Sequence, residues 1–267
     1  MSQGRVQIDN SLEPIQAAGP FSERDIYLLR EVVRILDELG ITFWLDQGAL
    51  LGIFRDGRFI PWDADIDLSV WDEDVRKVEP LLRKRLSSLE KARVDSFFYV
   101  FRVYSAPPHQ HLPVSIHRHF RHGREAVKQM KRAPDARSFR GLAYRVVLLL
   151  GRLMVIRPGE RALGYGVQID ASRPGGLVSR ITGIVGRVLL WFRDSIGIRL
   201  GEYLQVTCEM SVDAGYFERL RPVILGDLRL AAPADTEAYL ELKYGKDWRT
   251  PRQEWKYWEE DGAVTQG

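Results

Sequence analysis

Apolar residues recur at helical spacing from Ile26 through Leu29, Val32, Val33 and Leu36 to Leu39. Ser22 stands ahead of them, with Glu23 and Asp25 in the first turn and Gly40 just past the end, so the pattern predicts a helix with a capped start and a glycine stop. Ile41 to Leu45 (ITFWL) reads as a strand. Gly48 to Phe54 (GALLGIF) reads as a glycine-bounded turn entering a short helix, and Asp56-Gly57 as a turn. Ala64 to Val70 (ADIDLSV) alternates strictly, with Asp65, Asp67 and Ser69 on one face of a strand and Ile66, Leu68 and Val70 on the other. Asp72 is placed to cap the next helix, and Pro80 inside that pattern predicts an interruption. Phe97 to Tyr104 (FFYVFRVY) and Leu112 to Phe120 read as strands joined by a loop at Pro107-Pro108. Phe139 to Ile156 and Ile184 to Leu204 read as helices, with a short strand at Tyr165 to Ala171 (YGVQIDA) between them. After a small unit from Pro222 to Leu230, Asp235 to Tyr244 reads as a capped helix, followed by an aromatic tail with Trp248, Trp255, Tyr257 and Trp258.

This mixture of strands and helices, without an internal repeat, predicts an α/β (α+β) fold: a mixed sheet flanked by helices. We expect one domain over residues 21–260, a basic helical insertion at 121–205, and flexible tails at 1–20 and 261–267. With 267 residues, 45% of them apolar, the chain can bury a sizeable core and is not disordered or low in complexity. Charge sharpens the picture. Residues 118–200 hold 17 Lys and Arg against 5 Asp and Glu, whereas the remainder is acidic, which points to an anionic partner. That segment is rich in aliphatic residues and lacks a reading motif, so nucleic acid is not the expected partner. The single cysteine, Cys208, excludes an internal disulfide and a Cys-based zinc site. Met1 to Pro20 has no apolar h-region, and Arg145, Arg152, Arg187 and Arg193 interrupt the longest apolar runs. The expected location is cytoplasmic. The Phe139 to Ile156 helix is apolar almost all round and must be buried in protein or in a bilayer interface, so residues 139–200 are either a core subdomain or a peripheral contact at the inner face of the cell membrane.

The chemistry concentrates in Trp44 to Val70, WLDQGALLGIFRDGRFIPWDADIDLSV. Two carboxylates at i and i+2 on a strand repel each other, and a divalent cation removes the conflict. Mg²⁺ or Mn²⁺ commonly binds one or two carboxylates plus substrate phosphates, which makes Asp65 and Asp67 candidate metal ligands. Gly48 permits close backbone approach, and it opens, with Ala49, a short helix whose unpaired N–H groups suit an anion. Arg55 is either a phosphate clamp or a surface ion pair, and Asp63 a supporting or turn residue. Phosphate cradle, metal carboxylates and basic clamp are parts of a phosphoryl-transfer site.

G-A-L-L-G-x-x-R followed by I-P-W-D-A-D-I-D-L resembles the signature of the LicD family, which includes bacterial phosphocholine transferases, fukutin and fukutin-related protein. Tyr239 to Trp258, YLELKYGKDWRTPRQEWKYW, is similar to that family's C-terminal Y-G-x-x-W-x-x-P-x-x-x-W, so the two motifs bracket about residues 22–258. The resemblance implies a nucleotidyltransferase-like fold with Asp65 and Asp67 as the metal pair. It also implies transfer of phosphocholine, ribitol phosphate or glycerol phosphate from a CDP-linked donor to a glycan or lipid-linked glycan hydroxyl, with release of CMP. A choline donor would want an aromatic cage, and the seven tryptophans leave that open. The family's third carboxylate, in a V-D-I or V-D-L strand, falls where this chain has Ser115, and serine cannot replace it as ligand or base. Asp170, flanked by Val167 and Ile169, is the favoured substitute catalytic carboxylate; His117 and Asp95 are alternative bases. Lys243 and Tyr244 either line the donor pocket or end a helix at Gly245.

Three further readings complete the analysis. All five histidines lie between His109 and His122, and a polar, partly exposed hairpin fits them better than a zinc site. A true nucleotidyltransferase would consume NTP and release pyrophosphate instead of CMP. A catalytically weakened member would bind glycan or membrane, a reading that Ser115 keeps open.

Overall fold

The strand that alternates Asp with Ile and Leu lies inside the main sheet of the protein. The computed structural model describes residues 7–90, 92–97, 100–105, 111–132, 134–153, 200 and 203–264. It divides into two compact units, residues 1–129 with 209–267, and residues 130–208. Along the chain the elements are β1 (Gln7–Ile8), β2 (Ile15–Gln16), α1 (Glu23–Glu38), β3 (Phe43–Leu45), α2 (Gln47–Asp56), β4 (Ile66–Trp71) and α3 (Asp72–Ser87). They continue with β5 (Ala92–Phe97), β6 (Val100–Ser105), β7 (Val114–His122), β8 (Glu125–Arg132), α4 (Phe139–Leu153), β9 (Val206–Asp213) and a 3₁₀ turn at Ala214–Phe217. Last come β10 (Arg219–Leu225), β11 (Leu228–Pro233), α5 (Thr236–Tyr244) and α6 (Tyr257–Glu260). The result is the mixed sheet flanked by helices that the sequence predicts.

The main sheet runs β3-β4-β7-β6-β5, with β4 and β7 parallel and the other neighbours antiparallel. All six residues of β4 are buried, so both faces of this strand are covered. One face is apolar: Ile66 stands beside Val114 and Leu68 beside Ile116, all inaccessible to solvent. Its next register pair is Val70 with Arg118, whose guanidinium reaches Asp72 (2.7 Å) and Glu79 (2.9 Å) on α3, so α3 covers this side. The opposite face carries Asp67 and Ser69 beside Ser115 and His117, and there the site is built. At α1, Ser22 donates its backbone N–H and hydroxyl to Asp25 (3.2 and 2.7 Å), fixing the predicted start.

Several local expectations are corrected. Residues 7–8 and 15–16, read as part of a loose tail, form strands parallel to β10 in a second sheet of order β1-β10-β11, with β2 also on β10. At the other end Asp261 is buried and Val264 bridges to Met210, so the expected tail from 261 is structured as far as Val264. Helix α3 runs through Pro80. Pro80 is exposed, so the Arg76 carbonyl that loses its helical donor there faces the solvent side. Trp71, not Asp72, is the N-cap of α3; Asp72 sits in the first helical turn and pairs with Arg118 and Arg76. The strand read as Phe97 to Tyr104 is two strands, β5 and β6, paired antiparallel. Residues 125–132, placed in a helical insertion, are a strand turned back on β7.

In the second unit α4 is anchored by Arg140, which donates to the carbonyls of Tyr203, Leu204 and Gln205 (2.6–2.9 Å). Tyr144 is buried, whereas Phe139, Leu142 and Val146 are 89%, 54% and 48% exposed. No helix among the described residues is long and apolar enough to cross a membrane. Asp170, the Tyr165 to Ala171 strand, most of the Ile184 to Leu204 helix, Pro107, Pro108 and His109 lie outside the described residues.

Candidate active site

Parallel pairing sets Asp67 directly beside Ser115, and antiparallel pairing sets Ser115 beside Arg102. Side chains in register project to the same face, so three strands present a row of polar groups. Asp65, just ahead of β4, joins the row. Its Oδ2 accepts from the Ser115 hydroxyl (2.6 Å) and from Arg102 Nη2 (3.1 Å), and Arg102 Nε donates to Ser115 Oγ (3.2 Å). One pleat further on, His117 Nε2 lies 2.8 Å from Asp67 Oδ1. Thus Ser115, where a third carboxylate is expected, is part of a cationic clasp on Asp65.

Helix α2 brings its N-terminus to the same face. Its N-cap, Asp46, accepts the Gln47 N–H (2.7 Å), and Gln47 takes φ 49°, a left-handed conformation unusual for a non-glycine. The N–H groups of Gly48 and Ala49 fall in the first turn, where the helix offers no carbonyl to receive them. The Ala49 side chain is buried, so only its backbone can serve a ligand. A Cβ on Gly48 would stand 1.9 Å from Asp63 Oδ2. The Asp63 carboxylate thus occupies the place of a side chain at Gly48 and would have to shift to admit one. Arg55 donates to Asp56 (2.7 and 2.9 Å), and its side chain is largely buried in that ion pair.

Beneath this row lies a buried polar hub. Asp46 is inaccessible to solvent and accepts from Ser69 Oγ (2.8 Å), Lys128 Nζ (2.6 Å) and Tyr239 OH (2.7 Å) besides Gln47 N–H. Burial alone would raise the Asp46 carboxyl, but Lys128, His119 and Lys243 together overcome it and hold the group well below the usual range. Lys243 is buried with its Nζ 2.8 Å from Asp261 Oδ2, so its charge is engaged by an internal ion pair. Tyr239 ties the C-terminal motif to the acidic motif, and Trp248, buried, packs at 5.7 Å from Phe54 of α2. The aromatic residues around His119, namely Trp44, Trp71 and Phe217, are fully buried and form core rather than a cage open to a ligand.

The upper row is electrostatically uncomfortable as it stands. Burial, then the neighbouring Asp65, push Asp67 well above the ordinary carboxylate range. Burial, with Asp67 and Asp65 adding to it, raises Asp63 to about 7. A divalent cation would relieve this crowding, and hard carboxylate oxygens suit Mg²⁺ or Mn²⁺. Among the described residues no three His, Cys, Asp or Glu gather around one point. The donor set therefore fits a cation held by two carboxylates and completed by water and phosphate oxygens.

His117, His119 and His122 lie on β7 of the β7-β8 hairpin, and of these only His122 is exposed. His117 and His119 are buried, whereas His111 stacks on Tyr27 at 4.5 Å. Asp95 is exposed on β5, opposite Arg102 in register. Burial lowers His119 from 6.5 to about 4; Lys128 and His117 act in the same direction and Asp46, 3.6 Å away, opposes them. An unfolded chain protonates this ring below pH 6.5, the folded one only near 4, so stability falls as the pH drops between those values. His119 alone should contribute about 1.4 kcal/mol per pH unit to that fall. Urea unfolding at pH 7, 6 and 5 checks this: His119→Gln should flatten the slope by about that amount, and an unchanged slope would refute the assignment.

Reading the sequence missed Asp46, Arg102, Lys128 and Tyr239 as site residues. Only Asp46 leaves a local signal, an Asp immediately ahead of a helix, where an N-cap is expected. Comparison with known proteins agrees with the acidic motif. Residues 40–127 match the model described as "LicD/FKTN/FKRP, nucleotidyltransferase domain". Human "Ribitol 5-phosphate transferase FKRP" is 40% identical over 91 residues, 31% of this chain and 18% of that protein. Human "Ribitol-5-phosphate transferase FKTN" is 26% identical over 110 residues, 34% of this chain and 23% of that protein. The chain thus spans less than a quarter of either relative's length. A crystal structure of ANT(2")-Ia in complex with adenylyl-2"-tobramycin overlaps 38% of this chain and 53% of that one, at 20% identity and a TM-score of 0.28, a slight likeness. The stretch that holds β3, α2, β4, Arg102, Ser115 and His117 is therefore the part of the chain that matches the nucleotidyltransferase-domain model of the LicD/FKTN/FKRP family.

Proposed function

We propose that this chain transfers a phospho-alcohol (phosphocholine, ribitol phosphate or glycerol phosphate) from a CDP-linked donor to a hydroxyl of a glycan or lipid-linked glycan, releasing CMP. The observation that carries the reading is the Asp65 and Asp67 pair, set beside the first turn of α2 within the family-matched stretch. The names of two relatives, both ribitol-phosphate transferases, support the phospho-alcohol class. Asp65 and Asp67 would hold Mg²⁺ or Mn²⁺, which when bound neutralises charge on a diphosphate. The Gly48 and Ala49 N–H groups orient phosphate oxygens. The acceptor oxygen forms a new bond to the phosphorus of the alcohol phosphate, the bond from that phosphorus to the CMP oxygen breaks, and the hydroxyl proton passes to a base.

The test is nucleotide release with Mg²⁺ from CDP-ribitol, CDP-choline and CDP-glycerol beside CTP and ATP, in the presence of an acceptor extract. CMP from one CDP donor is the expected result. Pyrophosphate from CTP or ATP would replace the reading with nucleotidyl transfer, and silence on every donor would replace it with a glycan- or membrane-binding role. A lipid-linked acceptor would place the protein at a bilayer, and the exposed Phe139, Leu142 and Val146 of α4, interspersed with Arg140 and Arg145, suit an anionic surface. Flotation with anionic liposomes at low salt should carry the protein upward, and Phe139→Ser with Leu142→Ser should reduce the floated fraction; no flotation would refute the contact.

A further inference from the structure

Among the described residues, Arg102 is the one Lys or Arg of the sheet that touches the carboxylate row. Its guanidinium uses Nη2 on Asp65 and Nε on Ser115, and its side chain keeps 38% of its surface in solvent while Asp65 keeps 16%. The remaining N–H groups have no partner among the described residues, and the partly exposed side chain leaves them accessible. A planar fork with spare donors beside a candidate metal carboxylate suits a phosphate oxygen. The same fork occupies Asp65 Oδ2, an oxygen that a divalent cation would use.

Resting on the function proposed above, we infer that Arg102 is a donor-binding residue that also competes with the divalent cation for Asp65. Without ligand the guanidinium neutralises Asp65 and opposes cation entry by like-charge repulsion. With a diphosphate present, the cation takes the carboxylate and the guanidinium turns its fork to the phosphate. Ser115 permits this exchange, because its hydroxyl donates to Asp65 without adding a charge of its own. Cation and diphosphate are then taken up together rather than one after the other.

The two roles give one substitution opposite effects on two constants, which a structural role would not. In calorimetric titrations of the full chain, Arg102→Met should bind Mn²⁺ alone about tenfold tighter, equivalent to about 1.4 kcal/mol. With Mn²⁺ saturating, the same variant should bind CDP about tenfold weaker. Arg102→Lys, which keeps the charge and loses the fork, should leave Mn²⁺ affinity near the parent value and still weaken CDP. Loss of both ligands in Arg102→Met, or no change in either, would overturn the role of Arg102 and leave the proposed function standing. A parent protein that binds no Mn²⁺, or binds it equally well as Asp67→Asn, would overturn the metal site and the inference with it.

Discussion

Asp67→Asn should lower CMP release by about a thousandfold or more while raising the apparent Tm by about 2–5 °C. Asp67 is buried, lies among Asp63, Asp65 and Asp46, and has Asp65 as its strongest repulsive neighbour. An amide of the same shape removes that repulsion and still meets His117. In the proposed site it would also remove one of two anionic ligands from a hard cation, which needs charged oxygens more than neutral ones. Sites that hold charge against their own stability lose function when relieved of it. The opposite movement of activity and Tm separates this outcome from misfolding. CMP release within tenfold of the parent would show that Asp67 takes no part in the reaction.

The largest stability loss should come from Asp46→Ala. Removing this carboxylate leaves the buried Lys128 ammonium without its 2.6 Å partner and strips acceptors from Ser69, Tyr239 and the start of α2. Breaking a buried pair from one side costs about 3–5 kcal/mol, chiefly because a charge is stranded. Lys128→Met in the same chain should recover part of this loss, since the stranded charge goes with it. Tyr239→Phe, which deletes one hydroxyl donor, should cost only about 1–2 kcal/mol. Urea unfolding of the four proteins measures the cycle; purely additive losses for Asp46→Ala and Lys128→Met would mean the hub is not a coupled unit.

Legibility in the sequence followed the range of the forces involved. Helix α1 was readable from its 3.6-residue period, and β4 from its alternation, because both patterns are local. Asp65 and Asp67 stood out because a strand seldom carries two acids unless something answers their charge. Asp46 looked like one acid among many, since its partners Ser69, Lys128 and Tyr239 lie 23, 82 and 193 residues away. Arg102 was hidden inside an aromatic run that reads as a single strand. Two strands emerged instead because β6 pairs with both β5 and β7, a long-range choice that local propensity does not encode. Pro80 misled in the other direction, because a missing helical hydrogen bond is tolerable when the orphaned carbonyl faces water. Asp65 and Asp67 lie in one row while Asp170 falls outside the described residues, and Arg55 and Lys243 are each paired with a carboxylate.

The hydrogen bond from Tyr239 to Asp46 has a temporal side. Its ends are 193 residues apart, and synthesis at roughly 5–20 residues per second needs about 10–40 s to cover that distance. Through most of that interval a growing chain already carries Asp65 and Asp67 but lacks the phenol that completes the hub beneath them. The ribosome thus delivers the acidic pair early and its fastening late, so premature release of the nascent chain would leave the pair without the Tyr239 hydroxyl on Asp46.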